Sequence, residues 1–255
     1  MRFLATCLAL YGAVFLTTQA QAKSVPPSAG LAASKRGDYA TAAVLWQQAC
    51  TRGNDAGCAW LGFLYEHGEG VTKDATRAAG FYQQACTGGD GMGCHLLGFL
   101  YLNGEGVAKD ETRAASFFQK ACTGGEAEAC GALGLLFQGG LGVAKDEAHA
   151  AKLYQQACAG GNAQGCHSLG VDYDNGVGVT QDKTRAAGFY QKACTGGYAE
   201  GCYNLGYDYE KGEGVTKDKA RALQLYRRVL SLVSGSELAG DAAIRIDRLS
   251  STHAQ

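Results

Sequence analysis

The chain of 255 residues carries 23 Lys plus Arg against 24 Asp plus Glu, a formal net charge of −1. That balance argues against a nucleic-acid or anionic-membrane binder, which would show a basic excess. Apolar residues make up 46% and charged ones 18%, enough for a core and too apolar for a disordered chain. The 38 Gly beside only 2 Pro exclude collagen and Pro-rich linkers, and the 11 Cys point to disulfides or metal.

In chain order, Arg2 precedes an apolar run from Phe3 to Leu16, then polar Thr17, Thr18 and Gln19, then Ala20-Gln21-Ala22. This is the pattern of a secretory signal peptide over 1–22, with cleavage expected after Ala22. The run is shorter than the roughly 20 residues of a membrane span. A soluble exported protein, periplasmic or secreted, is expected from residue 23. Cys7 leaves with the signal, so ten Cys remain, an even number in an oxidising compartment.

Residues 23–54 form a degenerate N-terminal capping repeat ending in Trp46-Gln-Gln-Ala-Cys50. From Asp55 to about residue 233 the chain repeats every 36 residues, five times, with first segments opening at Cys58, Cys94, Cys130, Cys166 and Cys202. Residues 234–255 lack the repeat and are read as a C-terminal capping helix and tail. Inside one repeat, Cys58, Leu61, Gly62 and Tyr65 fall at i, i+3, i+4 and i+7, one face of a helix; Ala78, Phe81, Tyr82 and Ala85 do the same in a second segment. Asp74 is placed to cap the second helix and Gly88-Gly89 to stop it. Each repeat is therefore an αα-hairpin that cannot bury its apolar face alone. The expected fold is all-α, a right-handed α-solenoid of stacked hairpins.

The pattern Leu61-Gly62-x-x-Tyr65, then Gly68-x-Gly70-Val71-x-x-Asp74, then Ala78-Ala79-x-x-Tyr82-x-x-Ala85 resembles the Sel-one-like repeat, a relative of the tetratricopeptide repeat. The added Cys-x7-Cys spacing resembles the disulfide-rich branch known as the Helicobacter cysteine-rich proteins. The resemblance covers roughly residues 28 to 230.

Two cysteine pairings are geometrically open, within a hairpin (Cys58 with Cys86) or across the repeat boundary. The first strands Cys50 and Cys202 at the ends of the array. The second uses every cysteine, joining Cys50 to Cys58, Cys86 to Cys94, Cys122 to Cys130, Cys158 to Cys166 and Cys194 to Cys202. One period further on stand Leu230 and Leu238, where both partners have changed together. Structural bridges across the boundaries are expected. No C-x-x-C is present, and gaps of seven residues in separate repeats do not assemble four metal ligands, so neither metal nor cofactor is expected.

No serine β-lactamase motif, G-x-S-x-G elbow, H-E-x-x-H or P-loop occurs, so no catalytic residue is assigned. His67, His95, His149, His167 and His253 read as surface residues, and the recurring Lys-Asp pairs as caps and solvated loop ends. On the first helix, positions 60, 63, 64 and 67 and their equivalents vary between repeats, in contrast to the fixed core side. In a stack this side is expected to line a concave surface. It runs from Trp60, Phe63, Leu64, Leu96, Phe99 and Asn103 to Asp172, Asn204, Tyr207 and Asp208, and suits an extended protein or peptide partner bound by a monomer. The family resemblance implies an exported binding scaffold, for instance an immunity protein against a type VI lipase effector. For the cysteine-rich branch it implies, as the alternative, penicillin binding with weak β-lactamase activity.

Overall fold

The computed structural model describes residues 27–251, so the expected signal peptide and His253 lie outside the described residues. All 13 elements among these residues are helices. They fall into two compact units divided at Gly124–Gly125. The first contains α1 (Pro27–Lys35), α2 (Tyr39–Thr51), α3 (Asp55–His67), α4 (Ala75–Gly88), α5 (Gly91–Asn103) and α6 (Glu111–Thr123). The second contains α7 (Ala127–Gly139), α8 (Glu147–Ala159), α9 (Ala163–Asn175), α10 (Lys183–Thr195), α11 (Ala199–Lys211), α12 (Lys219–Leu232) and α13 (Glu237–Ser251). Within each unit consecutive helices pack on one another as stacked hairpins, an α-solenoid cross-linked by disulfides.

The caps follow from local chemistry. Asp74, Asp110, Asp146, Asp182 and Asp218 each stand in extended conformation before a second helix and accept from the backbone N–H three residues on. First helices such as α3 end on a glycine in the left-handed region, Gly68 at φ 76°. The backbone N–H of Asp74 then donates to the carbonyl of Tyr65 at 2.8 Å, closing the loop between the two helices. Gly70 has φ 67° and sits against the backbone of Tyr39; a Cβ there would lie 2.3 Å from a Tyr39 carbonyl carbon. The loop glycine therefore lets one hairpin seat on the one before.

Inside the hairpin, the small residue of the first helix meets an aromatic ring of the second. A Cβ on Gly62 would stand 2.7 Å from the Tyr82 ring, and the same contact recurs between Gly98 and Phe118, Gly134 and Tyr154, and Gly170 and Tyr190. Gly62→Ala is expected to destabilise the fold by about 1–3 kcal/mol through overpacking. That exceeds the roughly 1 kcal/mol gained in helix propensity. Urea unfolding checks it, and an unchanged midpoint would show that the ring moves aside freely.

The buried phenols find acceptors sixteen residues back: Tyr82 donates to Glu66 at 2.5 Å, Tyr154 to Gln138 and Tyr226 to Glu210, each at 2.9 Å. Where the ring is Phe118 and has no hydroxyl to satisfy, the corresponding position is the apolar Leu102. In the last hairpin Glu210 also receives Arg245 from α13 at 2.9 Å. Burial pushes the Glu210 carboxyl up, but donors on Lys211, Tyr226 and Arg245 hold it below its ordinary value. Arg245 donates in turn to the Tyr203 hydroxyl at 2.8 Å. Together with Leu238, Ala242, Ile246 and Leu249, these contacts close the exposed side of α12.

Four bridges join residues eight apart, each between a second helix and the next first helix: Cys50–Cys58, Cys86–Cys94, Cys158–Cys166 and Cys194–Cys202. Cys122 and Cys130 are disulfide-bonded as well. At the positions of the absent sixth pair, Leu230 is partly exposed and Leu238 packs into the C-terminal cluster. So many bridged cysteines belong to a protein that folds in an oxidising compartment. No helix among the described residues is long and apolar enough to cross a membrane.

Candidate interaction face

The variable side of the first helices differs in kind between the two units. In the first unit it is aromatic. Trp60 is half-buried and stacks on Trp46 with centroids 5.5 Å apart; Phe63 meets Trp60 edge-on at 6.2 Å and stacks on His67 at 4.1 Å. The His67 ring is also held by Nδ1, 3.0 Å from the Phe63 carbonyl oxygen. On α5, Phe99 is 37% exposed and packs edge-on against His95 and Phe118. Leu96 is half-buried beside it and Asn103 is exposed at the helix end. Seven rings thereby form two groups, Trp46, Trp60, Phe63 and His67 on α2 and α3 and His95, Phe99 and Phe118 on α5 and α6, and the outermost remain partly open to solvent.

Three of the expected surface positions, two of them in the second unit, do something else. Asp172 and Asp208 are buried, 1% and 6% exposed, as is Leu64 of the first unit at 1%. These three are core residues, not the partner-facing residues that the sequence led one to expect. The reason is angular: position 64 lies three residues after Leu61 and one before Tyr65, inside the buried arc of the helix. Leu100 and Leu136 fill the same position in intervening repeats and are equally buried. The two aspartates therefore stand where leucines pack.

Their surroundings leave them poorly satisfied. One oxygen of Asp172 accepts from the Gln138 amide at 3.4 Å, while its Oδ2 and the Oδ2 of Asp208 are buried without a partner. Burial pushes the Asp172 carboxyl up to about 7, with Glu147 adding to the effect. It does the same to Asp208, helped by Asp174 and Glu213 and opposed by Lys183. Lys183 itself is engaged by Glu213 and lies 4.0 Å from Asp174.

The other residues expected on this face divide. Asn204 is half-buried with its amide 3.1 Å from His167 Nε2. Tyr207 is half-buried beneath the Arg245 guanidinium, 4.8 Å from the ring centroid, with Lys211 at 5.6 Å on the same ring. Burial holds the His167 imidazole below its ordinary value, Glu200 opposing. His95 and His167 are thus packed among rings rather than free on the surface, and His149 lies 4.4 Å from the Phe137 ring. Among the described residues no group of three or more His, Cys, Asp or Glu is arranged to hold a metal ion.

Comparison with known proteins places this architecture. The family model described as Sel1 repeat matches at residues 29–54, 55–90, 91–126, 127–162, 163–198 and 199–228. No curated protein matches the chain in sequence. Among solved structures, a Sel1 repeat protein from Oxalobacter formigenes is 29% identical with a TM-score of 0.74, over 80% of this chain and 82% of that one. The protein c5321, a protective antigen of uropathogenic Escherichia coli with an SLR fold, is 28% identical with a TM-score of 0.73. That match covers 80% of this chain and 45% of c5321, so the chain spans less than half of that protein's length. Cysteine rich protein B of Helicobacter pylori is 32% identical with a TM-score of 0.42, over 53% of this chain and 93% of that one.

Proposed function

The chain belongs to the Sel1 repeat family, and within that family we propose that it is an exported, non-catalytic scaffold that binds a protein or peptide through the variable side of its first helices. The observation that carries this reading is the set of packed rings of the first unit, Trp60, Phe63 and Phe99, held by their neighbours and still partly open to water, with Leu96 beside them. Pre-ordered rings lose little conformational freedom on binding, and such aromatics supply the anchors of most protein interfaces. The partner's complementary feature is a short apolar segment. The finer form of the proposal is a periplasmic immunity protein that sequesters a secreted lipase-type effector; the disulfide staples support its exported setting.

A photoreactive amino acid at position 99 should cross-link the partner in exported extracts, whereas one at exposed position 84 on α4 should not. Phe99→Ala is expected to weaken capture by about 2 kcal/mol, near thirtyfold, if Phe99 is a hot spot. Because the ring also packs on His95 and Phe118, a circular dichroism melt of the variant separates lost capture from lost stability. Equal adduct yields at positions 84 and 99 would remove the face from consideration. Failure of the chain to protect cells that export a phospholipase effector would sink the immunity form and leave the scaffold standing.

A further inference from the structure

The chain is charge-balanced as a whole, but α12 is not. Over Lys219–Leu232 it holds Lys219, Arg221, Arg227 and Arg228 and no acid. Three of these cations, Arg221, Arg227 and Arg228, line one open cavity of about 660 Å³ together with the amides of Gln191 and Gln224, the Tyr209 ring and Leu225. No carboxylate lines it. We propose that this cavity is a binding site for a phosphate group, carried either by a small phosphate ester or by an anionic lipid headgroup.

Arg221 is a fixed wall. It donates to the Tyr209 hydroxyl at 2.8 Å, lies 5.3 Å from the centre of that ring and is 3.5 Å from Asp218. The same Arg-on-Tyr arrangement recurs at Arg77 with Tyr65, Arg113 with Tyr101 and Arg185 with Tyr173, so it belongs to the repeat. Arg227 and Arg228 do not. At the position of Arg227 the other repeats hold Gln47, Gln83, Gln119, Gln155 and Gln191, and at that of Arg228 they hold Gln48, Gln84, Lys120, Gln156 and Lys192. Only here do two adjacent guanidiniums stand beside the recurring one.

Neither of them makes an ion pair or a side-chain hydrogen bond among the described residues, and both are exposed. Three like charges about one cavity repel, at a cost that the neutral Gln of the other repeats avoids. An anion reverses the sign of that term. Guanidiniums present paired donors matched to the oxygens of a phosphate, and several of them with two carboxamides can satisfy its three terminal oxygens at once. The Tyr209 face and Leu225 offer an apolar wall for the group that bears the phosphate.

The test uses the full exported protein with its disulfides intact. Inorganic phosphate and a simple phosphate monoester are titrated by calorimetry at constant ionic strength against chloride, and flotation is measured with vesicles of equal phosphatidylglycerol and phosphatidylcholine against phosphatidylcholine alone. The double variant Arg227→Gln, Arg228→Gln carries residues that other repeats tolerate, so it folds. Lys120→Gln with Lys192→Gln removes equal charge elsewhere. We expect saturable binding by the wild type and the Lys variant and at least about a tenfold loss in the Arg variant, since two charge-assisted contacts go. Flotation competed by free phosphate assigns the headgroup as the source; calorimetric binding without flotation assigns the small ester. Binding lost equally in both variants, or no binding of either probe up to about 10 mM, a level set by millimolar affinity, overturns the proposal. So does capture only of acidic peptides.

Discussion

Replacing Asp172 and Asp208 together by Leu should raise the resistance of the protein to urea, and raise it more at pH 8 than at pH 5. Both carboxyls sit in leucine positions, and each has an oxygen buried without a partner. In the unfolded chain they ionise near the ordinary value of 3.8; in the fold burial moves them to about 7. Between those values the folded state holds protons that the unfolded state has released. Stability therefore falls as pH rises through this window and levels off above the folded value, the opposite of the usual carboxylate behaviour. At about 1.4 kcal/mol per tenfold change in proton affinity, each buried charge costs on the order of 4 kcal/mol at pH 8. Leu removes that cost and fills the site as Leu64, Leu100 and Leu136 do. The Gln138 amide loses its 3.4 Å acceptor, a smaller loss. Asn at both positions should abolish the pH slope with little gain at pH 5. A double Leu variant that keeps the wild-type slope between pH 5 and pH 8 would show that these carboxyls are not the groups that titrate.

The repeat, the caps and the hairpins are legible in the sequence because they rest on local rules that a period of 36 residues states five times over. Asp74 caps for the same reason that Asp110, Asp146, Asp182 and Asp218 do, and Tyr82 needs an acceptor where Phe118 does not. Variation between repeats is a weaker guide. Position 64 varies from Leu to Asp, which reads as a surface, since aspartate is rarely buried. Yet Leu61, Leu64 and Tyr65 at i, i+3 and i+4 already define one face, and helical geometry outranks composition at that position. The Trp46–Trp60 stack was not legible, because it joins α2 and α3, helices of successive repeats whose close approach is made at Gly57: a Cβ there would lie 2.8 Å from the Ala49 methyl carbon. Tyr207 reads as a free anchor until α13 brings Arg245 over it, a contact thirty-eight residues away that no repeat contains.

Complete reduction of the disulfides is expected to have the largest effect of all. Each bridge closes a loop of eight residues between the end of a second helix and the start of the next first helix, for example Cys86 with Cys94. In the chain-entropy account a loop of this size contributes about 2.5 kcal/mol. With all ten cysteines bridged, five such loops sum to about 12 kcal/mol, the size of the whole stability of a typical domain at roughly 5–15 kcal/mol. The loss is concentrated at repeat boundaries, where a solenoid has only nearest-neighbour contacts to hold it together. The buried sulfurs keep part of their value after reduction, because Cys50, Cys58 and Ala59 pack with Ala85 as small apolar groups. Reduction should therefore broaden the thermal transition as well as lower it, the hairpins melting separately once the staples are gone. Removing one staple by Cys86→Ser with Cys94→Ser should cost about 2.5 kcal/mol or somewhat more, since two hydroxyls are then buried in its place. Circular dichroism melts with and without reductant measure both effects. Superimposable curves would mean that the stacked helices hold without their bridges. Non-reducing peptide mapping supplies the control on connectivity: linked peptides should pair cysteines eight apart, Cys122 with Cys130 among them, and a peptide joining Cys58 to Cys86 would invalidate the loop size on which the energy rests.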